Sequence, residues 1–255
     1  MHWSDVMANR LAERGTTHII ATGITPSGEF HIGHLREILT GDMIARAARK
    51  AGMEAELVFV VDNADPLRKV YPFLDEAYEA FIGHQLGSIP APDSEGKPDW
   101  ARFNEEGWTY ADHFLQPFLD ALRQIGVVPK LLPNLAAYRS GKFAEAARTA
   151  CDRADEVREI IERVSGRDLP EGWFPWQPLD SNGSLDGVTV KGYEFPYVHW
   201  VDSTGAQGSS NIEKGEGKLP WRLDWPAKWG FHNITCEPFG KDHGAAGGSY
   251  DTGKE

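Results

Sequence analysis

Apolar residues along the chain follow two rhythms, a short unbroken run and a three-to-four-residue recurrence, and the elements follow from them. The run His18-Ile19-Ile20-Ala21-Thr22 reads as a buried strand. After a turn punctuated by Pro26 and Gly28, Leu35, Ile38, Leu39, Met43, Ile44 and Ala47 recur at helical spacing to about Lys50, with Gly52 as the stop signal. Glu56-Leu57-Val58-Phe59-Val60-Val61-Asp62 is a second buried strand. Strand, helix and strand joined by short turns form a βαβ unit, which requires a parallel sheet and a right-handed crossover. Upstream, Ser4-Asp5 caps a short helix through Val6, Leu11 and Ala12 that closes at Gly15.

The spacing predicts one helix over Glu105–Ile125, with Tyr110, Phe114, Phe118 and Leu122 on its apolar face. A third strand is expected over Val127–Leu132 despite Pro129. Ser140 is expected to cap one long helix that carries Phe143, Ala147, Ala150, Ala154, Val157, Ile161 and Val164 and stops at Gly166. From about Leu169 to Lys218 proline, glycine, serine and aromatics dominate, with short alternating pieces at Val188–Val190 and Tyr197–Val201, so a β-rich insertion is expected. Asn233–Cys236 is strand-like, and Gly240–Gly248 forms a second glycine-rich junction. The expected fold is α/β, a doubly wound parallel sheet with a small β-rich insertion. Its expected divisions are 1–168 as the first half, 169–218 as the insertion and 219–255 as the incomplete start of the second half.

Composition changes this picture little. A length of 255 residues is ample for a core, and a net charge of −12, from 26 basic and 38 acidic residues, argues against a broad non-specific nucleic-acid surface. Cys151 and Cys236 lack a metal-ligand spacing and give no disulfide framework. No apolar run approaches membrane-spanning length and Met1–Arg10 lacks a signal core, so no membrane is expected and the expected compartment is the cytoplasm.

The candidate chemistry gathers at Pro26-Ser27-Gly28-Glu29-Phe30-His31-Ile32-Gly33-His34. It lies between a strand and a helix N-terminus, where unpaired N–H groups and the positive dipole end attract phosphate. His31 and His34 offer donors to a reacting phosphate, Gly33 lets a planar base approach the backbone, and Ile32 is expected to point into the core. A pair of surface or capping histidines accounts for the tetrad alone equally well. Asp62-Asn63-Ala64-Asp65 ends the second strand on the edge where doubly wound sheets bind ligands.

These residues resemble the HIGH signature of the class I aminoacyl-tRNA synthetases. The likeness extends through Asp65–Val70, Tyr138–Phe143, Trp221–Trp229, Glu237–His243 and the run at 247–253, and it resembles the class I lysyl-tRNA synthetases over essentially the whole chain. The resemblance implies a Rossmann-like fold. It also implies activation of lysine with ATP and Mg2+ to lysyl-adenylate, followed by transfer to tRNA(Lys). It implies catalytic roles for His31 and His34, and an ATP site of Pro26, Ser27, Gly28, His31, Gly33, His34, Gly240 and Asp242, with Gly33 against the adenine and Asp242 on the ribose. Gly23 and Thr25 match positions that meet the amino acid, and Asp224, Trp225 and His243 are candidates for its side-chain end. A packing cluster of Trp221, Trp225 and Trp229 on an irregular strand, with Asp224 as a turn cap, is the competing reading. Arg68 and Lys69 are read either as contacts to the tRNA acceptor end or as a solvated turn.

The chain departs from the family pattern in two places. The stretch Gln177–Gly208 contains no cysteine, so packing of Trp173, Phe174, Trp176, Tyr193 and Phe195 is expected to hold the insertion in place of zinc, and no metal ligands are assigned. Nothing resembling the second class I signature, KMSKS, occurs before Glu255, and the expectation is a fragment of a longer protein with weak or no aminoacylation. Two alternatives stand beside this: a non-catalytic amino-acid- or tRNA-binding paralogue, and another nucleotidylyltransferase with a histidine pair at the same turn.

Overall fold

The computed structural model describes residues 2–255. Helix α1 (Trp3–Ala12) leads into β1 (Thr17–Ile24), α2 (Ile32–Lys50) and β2 (Glu54–Val61). Next come α3 (Trp100–Glu106), α4 (Tyr110–Gln124), β3 (Lys130–Pro133), α5 (Asn134–Arg139), α6 (Ala144–Asp152) and α7 (Ala154–Ser165). Short strands follow, β4 (Gln177–Pro178), β5 (Thr189–Glu194), β6 (Tyr197–Val201), β7 (Gln207–Asn211) and β8 (Gly217–Lys218), and then α8 (Trp221–Phe231) and α9 (Ser249–Lys254). No described helix is long and apolar enough to cross a membrane.

The expected βαβ unit forms. β1 pairs in parallel with β2 from Thr17↔Glu54 to Ile24↔Val61, and β2 pairs in parallel with β3 from Val58↔Lys130 to Val61↔Pro133. On the free side of β1, the Thr235 N–H donates to the Ile19 carbonyl (3.0 Å) and the Ala21 N–H to the Cys236 carbonyl (2.9 Å). The Thr235–Cys236 segment therefore docks in parallel beside β1, and the sheet order reverses there. On one face Ile20, Ile24, Leu57, Phe59 and Val61 pack with Ile38, Ile44 and Ala48 of α2 and with Leu115, Phe118 and Leu122 of α4. On the other, Ala21, Val58 and Val60 are equally buried, and Val60 shares a cavity with Trp225 and Lys228 of α8. Helices on both faces of a parallel sheet, with a reversal in strand order, make a doubly wound α/β arrangement.

Several boundaries differ from expectation, each for a local reason. The helix expected over Glu105–Ile125 is two helices, because Gly107 caps α3 at φ 69° and Thr109 opens α4 with a reciprocal cap to Asp112. The long helix expected from Ser140 to Gly166 is also two, interrupted at Arg153, and Ser140 ends α5 rather than capping the next helix. The third strand starts only at Lys130: Val127 is buried with α2 and α4, while Val128 is exposed. Trp221–Trp229 is helical, not an irregular strand, so its tryptophans stand four residues apart on one face.

The insertion is β-rich as expected. β5, β6 and β7 form an antiparallel sheet, and β4 pairs with β8. Trp176 is its buried anchor, donating from Nε1 to the Ser210 hydroxyl (2.9 Å). Phe174, Tyr193 and Phe195 pack onto the same cluster as Tyr138 and Phe143, whereas Trp173 lies outside it.

Candidate functional site

The reversal in strand order opens a cleft at the carboxyl ends of the strands, where ligands of doubly wound sheets bind. A narrow cavity of about 40 Å³ lies there, enough for about three water-sized groups. Gly23 and Val60 line it from the sheet, Asp62 from the end of β2, Glu37 from α2, Trp221, Trp225 and Lys228 from α8, and Glu237, Phe239 and His243 from the chain beyond Cys236. A wider cleft of about 410 Å³ adjoins it between Gly33, Arg36, Glu37 and Thr40 of α2 and Pro238–Lys241.

The histidine pair forms the cap of α2. The His31 Nδ1 accepts from the Gly33 N–H (3.0 Å), the His34 Nδ1 accepts from the His31 N–H (3.0 Å), and the rings stack 3.9 Å apart. Both Nδ1 atoms being acceptors, each neutral ring carries its proton on Nε2, so hydrogen bonding assigns the tautomers. Two N–H donors result, and the rings, rather than the backbone amides they cap, present them. Burial, reinforced by the neighbouring His31 ring, holds His34 below the ordinary imidazole range, which favours its neutral form. A Cβ on Gly33 would stand 2.7 Å from the His31 Cε1, so only glycine lets the ring lie there. Ile32 does not enter the core as expected: it is 77 % exposed, because the cap geometry turns the first residue of α2 to solvent.

The rest of the signature loop is fastened from behind. The Thr25 hydroxyl donates to Asp65 (2.7 Å), and Tyr110 donates from its hydroxyl to the Ser27 carbonyl (2.8 Å). Pro26 is buried, and Gly28 rests against the Phe73 ring. Lys218 of β8 is ion-paired with Asp65. Burial alone would raise the Asp65 carboxyl, but this ammonium brings it below the ordinary range.

Beneath the cavity lies a buried charge network. The Lys228 Nζ pairs with Asp62 (2.6 Å) and Asp224 (2.7 Å), all three side chains being almost wholly buried. Asn134 donates from Nδ2 to both carboxylates, and the Tyr138 hydroxyl donates to Asp224 (2.6 Å) while accepting from the Leu219 N–H (3.1 Å). The two carboxylates hold Lys228 well above the usual ammonium range despite burial. Burial pushes Asp62 up to about 7, against the pull of Lys228. Tyr138→Phe leaves a buried N–H and one carboxylate oxygen without this partner, and such groups cost about 1–3 kcal/mol. Urea unfolding is expected to show a loss of that size with an unchanged slope.

Glu37 is different. Its carboxylate accepts only the Gly23 N–H (3.4 Å), and no cation lies within ion-pair distance among the described residues. Burial pushes it up to about 7, against that N–H, with Glu237, Asp242 and Asp62 adding to the rise. It faces both cavities.

The structure thus brings Gly23, Trp225 and His243 together around the narrow cavity, and Gly33 and Gly240 around the wider one; His31 and His34 stand next to Gly33 in the α2 cap and line neither cavity. Trp225 stacks on Trp221 (5.4 Å) and meets the His243 ring at a tilt of 55° (5.4 Å). Asp224 lies under the cavity rather than in its lining, engaged with Lys228, Tyr138 and Asn134. The Thr25 side chain turns to Asp65 and lines neither cavity, and Asp242 is 80 % exposed beside His243. Glu37, Glu237, Trp221 and Lys228 were not expected at the site. Glu37 follows His34 by three residues on a helix, which puts both on one face.

Residues 1–255 match the family of tRNA synthetases class I (K). A lysine–tRNA ligase of Archaeoglobus fulgidus is 45% identical over 254 residues, covering 99% of this chain and 49% of that one. Lysine–tRNA ligase 1 of Methanosarcina acetivorans is 43% identical over 257 residues, 100% of this chain and 46% of its own. The lysine–tRNA ligase of Thermoplasma volcanium is 40% identical over 255 residues, 100% and 48%. The chain spans about half the length of the curated relatives it matches.

Proposed function

We propose that this chain, which belongs to the tRNA synthetases class I (K), binds lysine and MgATP side by side and carries the site for joining them. The observation that supports this best is Glu37, a half-buried carboxylate with no cation within ion-pair distance among the described residues, facing a narrow cavity walled by tryptophans. A side chain with an apolar stem and an ammonium tip fits both features: the rings take the stem and Glu37 the charge.

In this reading the lysine side chain enters between Gly23 and Trp225, and its α-carboxylate stays at the mouth. MgATP occupies the wider cleft, with its phosphates against the Nε2–H donors of His31 and His34. The carboxylate oxygen attacks the α-phosphorus, the bond to the β-phosphate oxygen breaks, and pyrophosphate leaves with lysyl-adenylate formed. Fixed donors assist because negative charge builds on the phosphoryl oxygens in the transition state, and the cap already holds both rings in place. Magnesium arrives on the triphosphate and needs no protein cage. Transfer to tRNA(Lys), in the cytoplasm, completes the proposed reaction.

Gly33→Ala tests the histidine geometry. Its methyl group displaces the His31 ring, and loss of a hydrogen bond to a charged group weakens MgATP binding by about 10- to 100-fold. Equilibrium dialysis measures this, with lysine binding nearly unchanged as the expected companion result. Unaltered MgATP binding in Gly33→Ala, or an unaltered chain that binds neither ligand, would contradict the reading.

A further inference from the structure

Lys218 is a charged residue in a place where stability alone gives no reason for one. It is 3 % exposed, and it ion-pairs with one carboxylate oxygen of Asp65, itself largely buried. Exchanging such a pair for apolar residues of similar volume is often neutral or stabilising. Its strand, β8, pairs with β4 of the insertion, and neighbours on both sides fix it. A Cβ on Gly217 would stand 2.5 Å from the Trp176 Nε1, and the Leu219 N–H donates to the Tyr138 hydroxyl (3.1 Å). Despite burial, Asp65, Asp224 and Asp62 hold the Lys218 ammonium above its ordinary range.

The other oxygen of Asp65 accepts the Thr25 hydroxyl (2.7 Å). Thr25 follows directly on β1, and its carbonyl accepts the Ser27 N–H (2.8 Å), which closes the three-residue turn that opens the signature loop. Side-chain contacts therefore run from the insertion, through Asp65, to the turn that leads to the histidine cap. Lys218 itself lines neither cavity.

We propose that Lys218 is a positioning residue for MgATP: through Asp65 and Thr25 it fixes the turn from which the His31–His34 cap is held. The inference rests on the proposed function, which puts the phosphates against those rings. A carboxylate held by a buried ammonium on one oxygen offers the other in a fixed direction. Donors aimed at a reacting phosphate must stand within about 0.5 Å of their working places, so what fixes the loop matters to binding. The insertion thereby belongs to the scaffold of the ATP side without touching ATP.

Lys218→Met combined with Asp65→Asn is the test. This double variant removes both charges together and strands neither, so it is expected to be as stable in urea as the original. The new amide still accepts from Thr25, but no ammonium orients it, and MgATP binding measured by equilibrium dialysis is expected to weaken about tenfold. Lysine binding, measured by calorimetry, stays nearly unchanged. Thr25→Val is expected to cost about as much alone, and nothing further when added to the double variant, because both act through residue 65. Thr25→Ser keeps the hydroxyl and binds MgATP as the original does. A folded double variant with unaltered MgATP affinity overturns the proposal, as do equal losses of both ligands or losses that add. Should the double variant not fold, the hydroxyl link decides: Thr25→Val binding MgATP as tightly as Thr25→Ser overturns it. An unaltered chain that binds no MgATP ends the proposed function and this role with it. An unaltered chain that binds both ligands, with variants that match it, ends this role alone.

Discussion

Lys228→Met is expected to remove about 3–5 kcal/mol of stability, the largest loss we foresee for one substitution outside the hydrophobic core. The ammonium is almost wholly buried and touches Asp62 and Asp224 at 2.6 and 2.7 Å. Its removal leaves two almost wholly buried carboxylates without their cation. Asn134 and Tyr138 still donate to them, but no positive charge remains in contact. The same physics predicts a rescue. Asp62→Asn and Asp224→Asn, added to Lys228→Met, remove the stranded charges and recover much of the loss, because a buried ion network contributes less to stability than its disruption costs. Urea unfolding monitored by tryptophan fluorescence measures both. A Lys228→Met chain as stable as the original would mean that water or another cation reaches these carboxylates.

Glu37→Gln is expected to weaken lysine binding by about 30-fold or more, since a charged pair removed from a site shielded from water costs about 2–5 kcal/mol. The fold should respond in the opposite direction. Glu37 ionises with a pKa near 7 in the folded chain, above the ordinary carboxylate value of 4.5. The folded state therefore holds its proton longer than the unfolded state, and this group makes stability fall as pH rises from about 4.5 to 7. Glutamine has no such proton, so the variant should be no less stable than the original at pH 8, and lost binding there cannot reflect misfolding. Because the ammonium of lysine favours the ionised carboxylate, affinity in the unaltered chain should rise about tenfold from pH 6 to pH 8. Calorimetry at the two pH values measures this, and Glu37→Gln should flatten the rise.

The fold was legible in the sequence where the pattern was long and apolar. His18–Thr22 and Glu56–Asp62 appear as the paired strands, and the Leu35–Ala47 periodicity as α2. Legibility failed where one residue ended an element inside a continuing pattern. Gly107 in the left-handed region and the Thr109–Asp112 cap divide a run whose apolar spacing is unbroken. Trp221, Trp225 and Trp229 looked like a strand cluster because aromatics favour strands, although their four-residue spacing is helical. At the site, the signature turn was visible because several residues there serve one geometry. Glu37 and Lys228 were not, because a charged residue on a helix ordinarily faces solvent, and only the reversal in strand order shows that this face is covered. Asp224 was found by its neighbours, yet its three internal partners place it in support of the cavity rather than in contact with its contents.

The proposed function requires the narrow cavity beside Glu37 to take an ammonium-tipped side chain. Calorimetric titration of this chain, at pH 8 with MgATP present, against lysine and against norleucine tests it most directly, since the two amino acids share a stem and differ at the ammonium. Lysine is expected to bind at least about 30-fold more tightly, the cost of covering the half-buried Glu37 without an ion partner. Equal affinities for the two would contradict a lysine site at Glu37.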